Sequence, residues 1–272
     1  MSPLVFTLRD APAQRLDLAP LTPDRLVGLS QSKVAAIQLQ TTRERVLAGD
    51  VFKIRMGDAT QIHFEGGSER FDRIGAGMSQ GEVSVDGDVG IQTGRLMLGG
   101  RLAIAGNAGP WAASGMTGGT LTIAGHAGDR LGGPLAGETL GMRGGVVVVR
   151  GNTGTRAGDR MRRGIIIIEG KADSHAGSRM IAGTIIVRGR TGRLPGYLMN
   201  RGTIVTVDGS DGLSPTFADS GVHDLLATAL MARYVQTYSP GVAALLRRPW
   251  RRLLGDMAVI GKGEIFYPSV AN

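Results

Sequence analysis

Residues 142–151 read MRGGVVVVRG, residues 161–170 MRRGIIIIEG and residues 180–189 MIAGTIIVRG. These are one pattern stepping by 19 residues, and it extends in both directions. Met78, Met97, Met116, Met142, Met161, Met180 and Met199 lie 19, 19, 26, 19, 19 and 19 residues apart, so a single seven-residue insertion interrupts a fixed period. Counting from each Met, Gly recurs at plus three in all seven copies and at plus nine in six, with further glycines at plus twelve and plus sixteen. Self-similarity of this length marks a solenoid, whose repeats bury a core only by stacking on one another.

The residues between the glycines decide the kind of solenoid. Plus five holds Val83, Leu102, Leu121, Val147, Ile166, Ile185 and Ile204, and plus seven holds Val85, Ile104, Ile123, Val149, Ile168, Val187 and Thr206. Two apolar columns two residues apart are one face of a short strand. No segment between glycines is long enough for a helix, and β-branched residues dominate the columns. The expectation is an all-β chain: a right-handed parallel β-helix of about seven 19-residue coils, with glycines at the corners. It would be a rod roughly 30 to 35 Å long at the usual strand spacing. The periodicity divides the chain into an N-terminal cap (1–70) with degenerate coils at Val51–Arg55 and Gln61–Phe64, the glycine-rich rod (71–209), and a C-terminal extension (210–272).

Within the cap, Phe6–Leu8 and Val34–Leu39 read as strands and Thr22-Pro23-Asp24 as a helix start. Beyond Gly209 the period stops. Val222–Tyr238 has helical spacing, Gly241–Leu246 a second short helix, and Met257–Ile260 reads as a strand. Arginine surrounds Trp250 at 247, 248, 251 and 252, a composition that is weak evidence for nucleic acid, and none is expected as a partner.

There is no cysteine, which removes disulfides, thiolate catalysis and cysteine-ligated metals. The start lacks the features of a signal peptide and no stretch of about 18 apolar residues occurs, so a cytoplasmic protein with no membrane partner is expected. Lysine and arginine total 31 against 23 acidic residues, a net charge of +8 that suits an acidic partner or polyanion.

The outward positions of the rod carry the information about partners. At plus six, Ser84, Ala103 and Thr122 give way to Val148, Ile167, Ile186 and Val205, and at plus four Val146 and Ile165 join them. Strands apolar on both faces are buried on both sides. The stripe Val146, Val148, Ile165, Ile167, Ile186 and Val205 therefore needs a cover, either the chain's own tail or another subunit. At plus eight, Arg150, Glu169 and Arg188, with Asp208 if the last repeat bulges, read as a charge ladder that sets register. Basic residues accumulate along one corner: Arg160 and Arg179 share an offset, as do Arg143 and Arg162, and Arg163 and Arg201. These six are candidate polyanion- or partner-binding residues. The insertion after Gly132 reads as a loop bulging from a corner.

Evidence for catalysis is thin. No two carboxylates share an offset on neighbouring coils, as a glycosidase pair would require. His63, His126, His175 and His223 have no metal-ligand spacing, and none shares an offset with a carboxylate on the next coil, so neither a metal site nor catalytic residues are expected on this chain.

Met-Ser-Gln-Gly at 78–81, Met-Thr-Gly-Gly at 116–119, Gly-Met-Arg-Gly-Gly at 141–145 and the ending Gly-Lys-Gly-Glu-Ile at 261–265 resemble the C subunit of formylmethanofuran dehydrogenase, especially its version in the bacterial formyltransferase/hydrolase complex. The resemblance covers nearly the whole chain, although the coils alone are also similar to the C-terminal domain of glutamate synthase. It implies a non-catalytic scaffold that assembles with A, B and D subunits. Those partners would hold a methanofuran-type coenzyme, tetrahydromethanopterin and zinc, and carry a formyl group to formate in one-carbon metabolism. It also implies a coenzyme with a glutamate-rich tail that the basic corner, at Arg160 and Arg179, would face. The reading from another class is a free-standing β-helical polysaccharide lyase or hydrolase.

Overall fold

The computed structural model describes residues 2–39 and 44–269. Its first part comprises β1 (Pro3–Leu8), β2 (Leu16–Asp17), the short helices α1 (Pro23–Leu26) and α2 (Gln31–Ala35), β3 (Gln38–Leu39), β4 (Val46–Leu47), α3 (Ala48–Val51), β5 (Phe52–Arg55), β6 (Asp58–Glu65) and β7 (Phe71–Asp72). The repeats give β8 (Glu82–Val85), β9 (Arg101–Ile104), β10 (Thr120–Ile123), β11 (Arg143–Val149), β12 (Arg163–Ile168), β13 (Thr184–Val187), β14 (Thr191–Arg193) and β15 (Arg201–Thr206). They are followed by β16 (Ser210–Gly212), β17 (Ala218–His223), α4 (Leu226–Val235), α5 (Pro240–Leu245), β18 (Trp250–Gly255) and β19 (Lys262–Pro268).

Thirteen strands form one open sheet in the order β17-β18-β19-β15-β13-β12-β11-β10-β9-β8-β6-β1-β5. From β6 to β15 every pairing is parallel, and the register carries one column through it: Val83, Leu102, Leu121, Val147, Ile166, Ile185 and Ile204 are successive partners. All seven are buried. A second line of parallel bridges runs through Ser68, Val89, Ala108, Ala127, Thr153, Ala172 and Thr191. Turn amides also bond to the following repeat, as in Gln92 N to Pro110 O at 2.9 Å and Arg160 N to Ser178 O at 3.0 Å. Each repeat thus satisfies its backbone through its neighbours.

The Met–Gly pattern has a steric cause. The seven methionines are fully buried, and each reaches the plus-three glycine of the next repeat. At Gly119 (φ +80°) a Cβ would stand 2.7 Å from Met97 Cε, and at Gly202 (φ +108°) it would meet Met180 Cε. Only glycine combines the left-handed backbone with room for that methyl group.

Against expectation the repeat does not end at Gly209. β19 adds a parallel rung to β15, pairing Gly202 with Gly263, Ile204 with Ile265 and Val205 with Phe266. Gly263 even takes the plus-three role, a Cβ there falling 2.7 Å from Met199 Cε. The chain leaves through β17, α4 and α5 and returns to supply this rung. Val222 and His223 belong to β17, so the helix starts only at Leu226. Met257–Ile260 is a turn and not a strand, because β18 and β19 form an antiparallel pair on either side of it.

At the other end β6 is a rung, Ile62 pairing with Val83, whereas Val51–Arg55 is not: β5 runs antiparallel to β1. Most of Val34–Leu39 falls outside any strand, since α2 extends to Ala35 and only Gln38–Leu39 is extended. Phe6, Phe52, Phe64 and Phe71 fill the interior at this end, with Phe6 and Phe64 stacked at 5.0 Å. Their large apolar area closes a core that the first repeat would leave open.

The apolar stripe is covered by the chain itself. Val146, Val148, Ile167, Ile186 and Val205 pack with Ala232 and Val235 of α4, Val242 and Ala243 of α5, Leu246, Trp250 and Phe266, and Ile165 lies against the same cluster. Of the charge ladder, Arg150 pairs with Glu169, while Arg188 and Asp208 make no ion pair among the described residues. Glu169 also accepts from Ser239 Oγ at 2.5 Å, and Arg150 donates to Tyr238 O at 3.2 Å. The Arg150–Glu169 pair thus links successive repeats, as the ladder expects, and the same two side chains also fasten the tail to the sheet.

Candidate functional site

The six arginines singled out in the sequence separate into two groups. Arg160 and Arg179 lie on the turn that precedes the next Met, where both have left-handed φ, 50° and 52°. Arg179 grips Asp159, its Nε 2.9 Å from Oδ1, and Ser178 Oγ donates to the same oxygen at 2.9 Å. Asp159 is completely buried, so this carboxylate needs Arg179 as its counter-charge. Arg160 donates to the Glu138 carbonyl at 3.4 Å.

The other four are exposed, Arg143, Arg163 and Arg201 as the first residues of β11, β12 and β15 and Arg162 just before β12, and among the described residues none makes an ion pair. Arg143 and Arg163 are register partners across β11 and β12, and Arg201 and Lys262 are partners across β15 and β19. The extra cation, Lys262, was not apparent in the sequence because it belongs to the rung that the tail returns to complete.

The insertion does not bulge freely. Pro134 is buried, and Glu138 reaches back two repeats to Arg95, Oε1 to Nη2 being 2.6 Å. The Arg95 hydrogen bond holds the Glu138 carboxyl below its usual range; burial opposes this, while the Leu135 amide and the charges of Arg95 and Arg143 reinforce it.

Two further constellations emerge only in three dimensions. His63 Nδ1 lies 2.8 Å from Ser84 Oγ, and its Nε2 lies 3.1 Å from Asp86 Oδ2, in an open groove lined by Pro3, Gln61 and Arg101 among others. Comparing equal offsets missed it because Asp86 stands two residues beyond the residue paired with His63. The Ser–His–Asp order invites a nucleophile reading, but acyl transfer also requires free donors for an oxyanion. Ser84 sits inside the ladder between β6 and β9, and Asp86 N donates to Phe64 O at 2.9 Å, so the nearby amides are occupied. The second is a ladder at plus ten: Asp88, Asn107, His126 and Asn152 each accept the backbone N–H of the equivalent residue in the next repeat, at 2.7 to 2.8 Å. His126 accepts through Nδ1.

Among the described residues no three His, Cys, Asp or Glu side chains gather as a metal site, and no helix is long and apolar enough to cross a membrane.

No family model matches the chain. A stretch of 83 residues is 44% identical to the C subunit of the Fhc formyltransferase/hydrolase complex of Methylorubrum extorquens, covering 30% of this chain and 31% of that protein. Matched in this way, the chain spans about a third of the length of that curated relative. The structural match is far broader. A chain of the crystal structure of the formyltransferase/hydrolase complex (FhcABCD) from the same organism, solved with methylofuran, has a TM-score of 0.94 and 43% identity over 98% of this chain and 100% of that one. With similarity of sequence and backbone running from end to end, the chain belongs to the family formed by the C subunits of formyltransferase/hydrolase complexes.

Proposed function

We propose that this chain is the non-catalytic scaffold subunit of a cytoplasmic formyltransferase/hydrolase complex, a formylmethanofuran dehydrogenase-like assembly in tetrahydromethanopterin-linked one-carbon metabolism. The A, B and D subunits are its partners. They hold the methanofuran-type coenzyme, tetrahydromethanopterin and zinc, and carry the formyl group to formate. The observation that carries this reading is the end-to-end likeness, at 43% identity, to a chain of the FhcABCD complex solved with methylofuran. The occupied amides around Ser84 and the separate offsets of the rod's carboxylates support a chain without chemistry of its own.

The fold that serves this role is a right-handed parallel β-helix of seven regular coils over 71–209, with a cap over 1–70 and an extension over 210–272. The continuous register from Val83 to Ile204 supports it. Arg179 serves Asp159 and Arg160 serves the insertion, so the pair with which the sequence associated an acidic coenzyme tail is already engaged within the chain. The test is native mass spectrometry of a tagged copy purified from its host. Subunits of the A, B and D kind are expected with it; a chain recovered alone, monomeric and active on pectin-like polymers would overturn the reading.

A further inference from the structure

On that reading this chain has partner subunits, and we propose where one of them docks. The edge formed by Arg143, Arg163, Arg201 and Lys262, with the apolar turn beside it, receives the acidic face of another subunit. Elsewhere the sheet sets opposite or hydrogen-bonding groups in register: Glu82 opposes Arg101 at 3.7 Å, and Glu264 accepts from its partner Thr203 at 2.7 Å. Along this edge the register does the reverse. Arg143 faces Arg163 and Lys262 faces Arg201, all exposed and all without an ion pair among the described residues. The row crosses four strand spacings, about 19 Å. Like charges directly opposite one another destabilise a sheet, so the row weakens the isolated chain; the charge of Glu138 reaches the Arg143 end, and negative charge from outside would relieve the rest.

The second feature adjoins the Lys262 end. Met257, Val259 and Ile260 are 52%, 39% and 53% exposed at the tip of the β18–β19 turn. The turn is nevertheless firmly held: buried Asp256 accepts the N–H groups of Leu198 and Ala258, both at 2.9 Å, and its carbonyl accepts those of Val259 and Gly261 at 3.1 Å. A fixed apolar tip beside a row of cations has the form of an interface anchor with its charged rim. A free polyanion would neutralise the row and leave the tip in water. A second copy related by a twofold axis would bring the cationic row against itself. Both features are met together by a protein surface with acidic side chains around an apolar pocket.

The experiment compares complexes assembled in the host with tagged wild-type chain, Arg201→Glu/Lys262→Glu and Ile260→Ser. The partners retained are read by native mass spectrometry, and dissociation is followed at 50 and 300 mM salt. Wild type should retain its partners, and each variant should lose one subunit about tenfold more readily. Salt should weaken the wild-type contact and have much less effect on the charge-reversed one. Unchanged melting of the separately purified variants would establish that they fold; if charge reversal fails that check, Arg201→Gln/Lys262→Gln takes its place. Should wild type retain its subunits and both variants match it at both salt concentrations, the docking proposal is wrong while the scaffold reading stands. Loss of methylofuran with every subunit retained would give the row to the coenzyme and equally overturn the proposal. A homodimer broken by the variants would do the same in favour of a second copy. A wild-type chain without partners removes the scaffold reading and this proposal with it.

Discussion

Ile166 and Ile167 are adjacent, equally buried and chemically identical, yet they face opposite sides of β12. Ile166 lies between Val147 and Ile185 inside the column, and Ile167 belongs to the cluster that includes Ala232, Val235 and Trp250. Replacing either with Ala removes three carbons, about 2.4 kcal/mol of transfer free energy at ~0.8 per methylene, and the unfilled cavity raises the cost to about 3 kcal/mol. The equal cost should fall in different places. Loss at Ile167 acts on the contact with the tail, so α4 and α5 should open locally and exchange their amide hydrogens about a hundredfold faster, since each ~1.4 kcal/mol is a factor of ten. Peptides from the rungs on either side should stay protected. Loss at Ile166 weakens the stacking of β12 on both neighbours, and protection should fall across β11, β12 and β13. Hydrogen exchange read by mass spectrometry on the two variants separates these outcomes. If Ile167→Ala leaves α4 and α5 at wild-type rates, or loosens rungs and tail alike, the tail is not a separable cover and the two-sided account of this strand fails.

Arg179→Ala should destabilise the chain by about 3 kcal/mol in denaturant unfolding, because it leaves Asp159 buried with Ser178 and no counter-charge; adding Asp159→Asn should recover a good part of that. Gly202→Ala should cost about 2 to 3 kcal/mol through its left-handed backbone and its encounter with Met180, and Met180→Ala in the same chain should make the two losses clearly less than additive in thermal melts. Glu138 has its folded pKa lowered, chiefly by the Arg95 hydrogen bond, so its contribution is present above the ordinary carboxylate range and disappears as pH falls through the lowered value. Proteolytic nicking of 133–140 should therefore rise on acidification, and Arg95→Gln should make nicking high and nearly independent of pH.

The rungs were legible because their cause is local and repeated: an apolar residue at every second position, and a glycine wherever the preceding Met needs space. The eighth rung obeys the same chemistry, with Gly263 against Met199 and Ile265 above Ile204. It is hidden in the sequence because a long tail replaces the 19-residue step, and Gly-Lys-Gly-Glu-Ile alone carries too little pattern to be phased with Arg201–Ile204. The cap was less legible for a related reason. Val51–Arg55 has the alternation of a rung, but alternation does not state direction, and pairing with β1 makes β5 antiparallel.

The candidate site shows a harder limit, because side chains at one offset need not share one environment. Arg160 and Arg179 shared an offset and looked most like a binding pair, yet the left-handed turn that bears them also carries Asp159 and Ser178, and it turns Arg179 onto a buried carboxylate. Arg143 and Arg163 have different offsets and become partners through a register shift between Arg143 and Val146. Whether an arginine of this rod is used inside the chain or left outward thus depends on what its turn brings within reach, a carboxylate for Arg179 and the Glu138 carbonyl for Arg160. Position in the repeat alone does not determine it. That criterion leaves the strand starts as the cationic edge and, with the stripe already covered by α4 and α5, makes charge at that edge a sharper guide to a partner than the apolar columns that dominate the sequence.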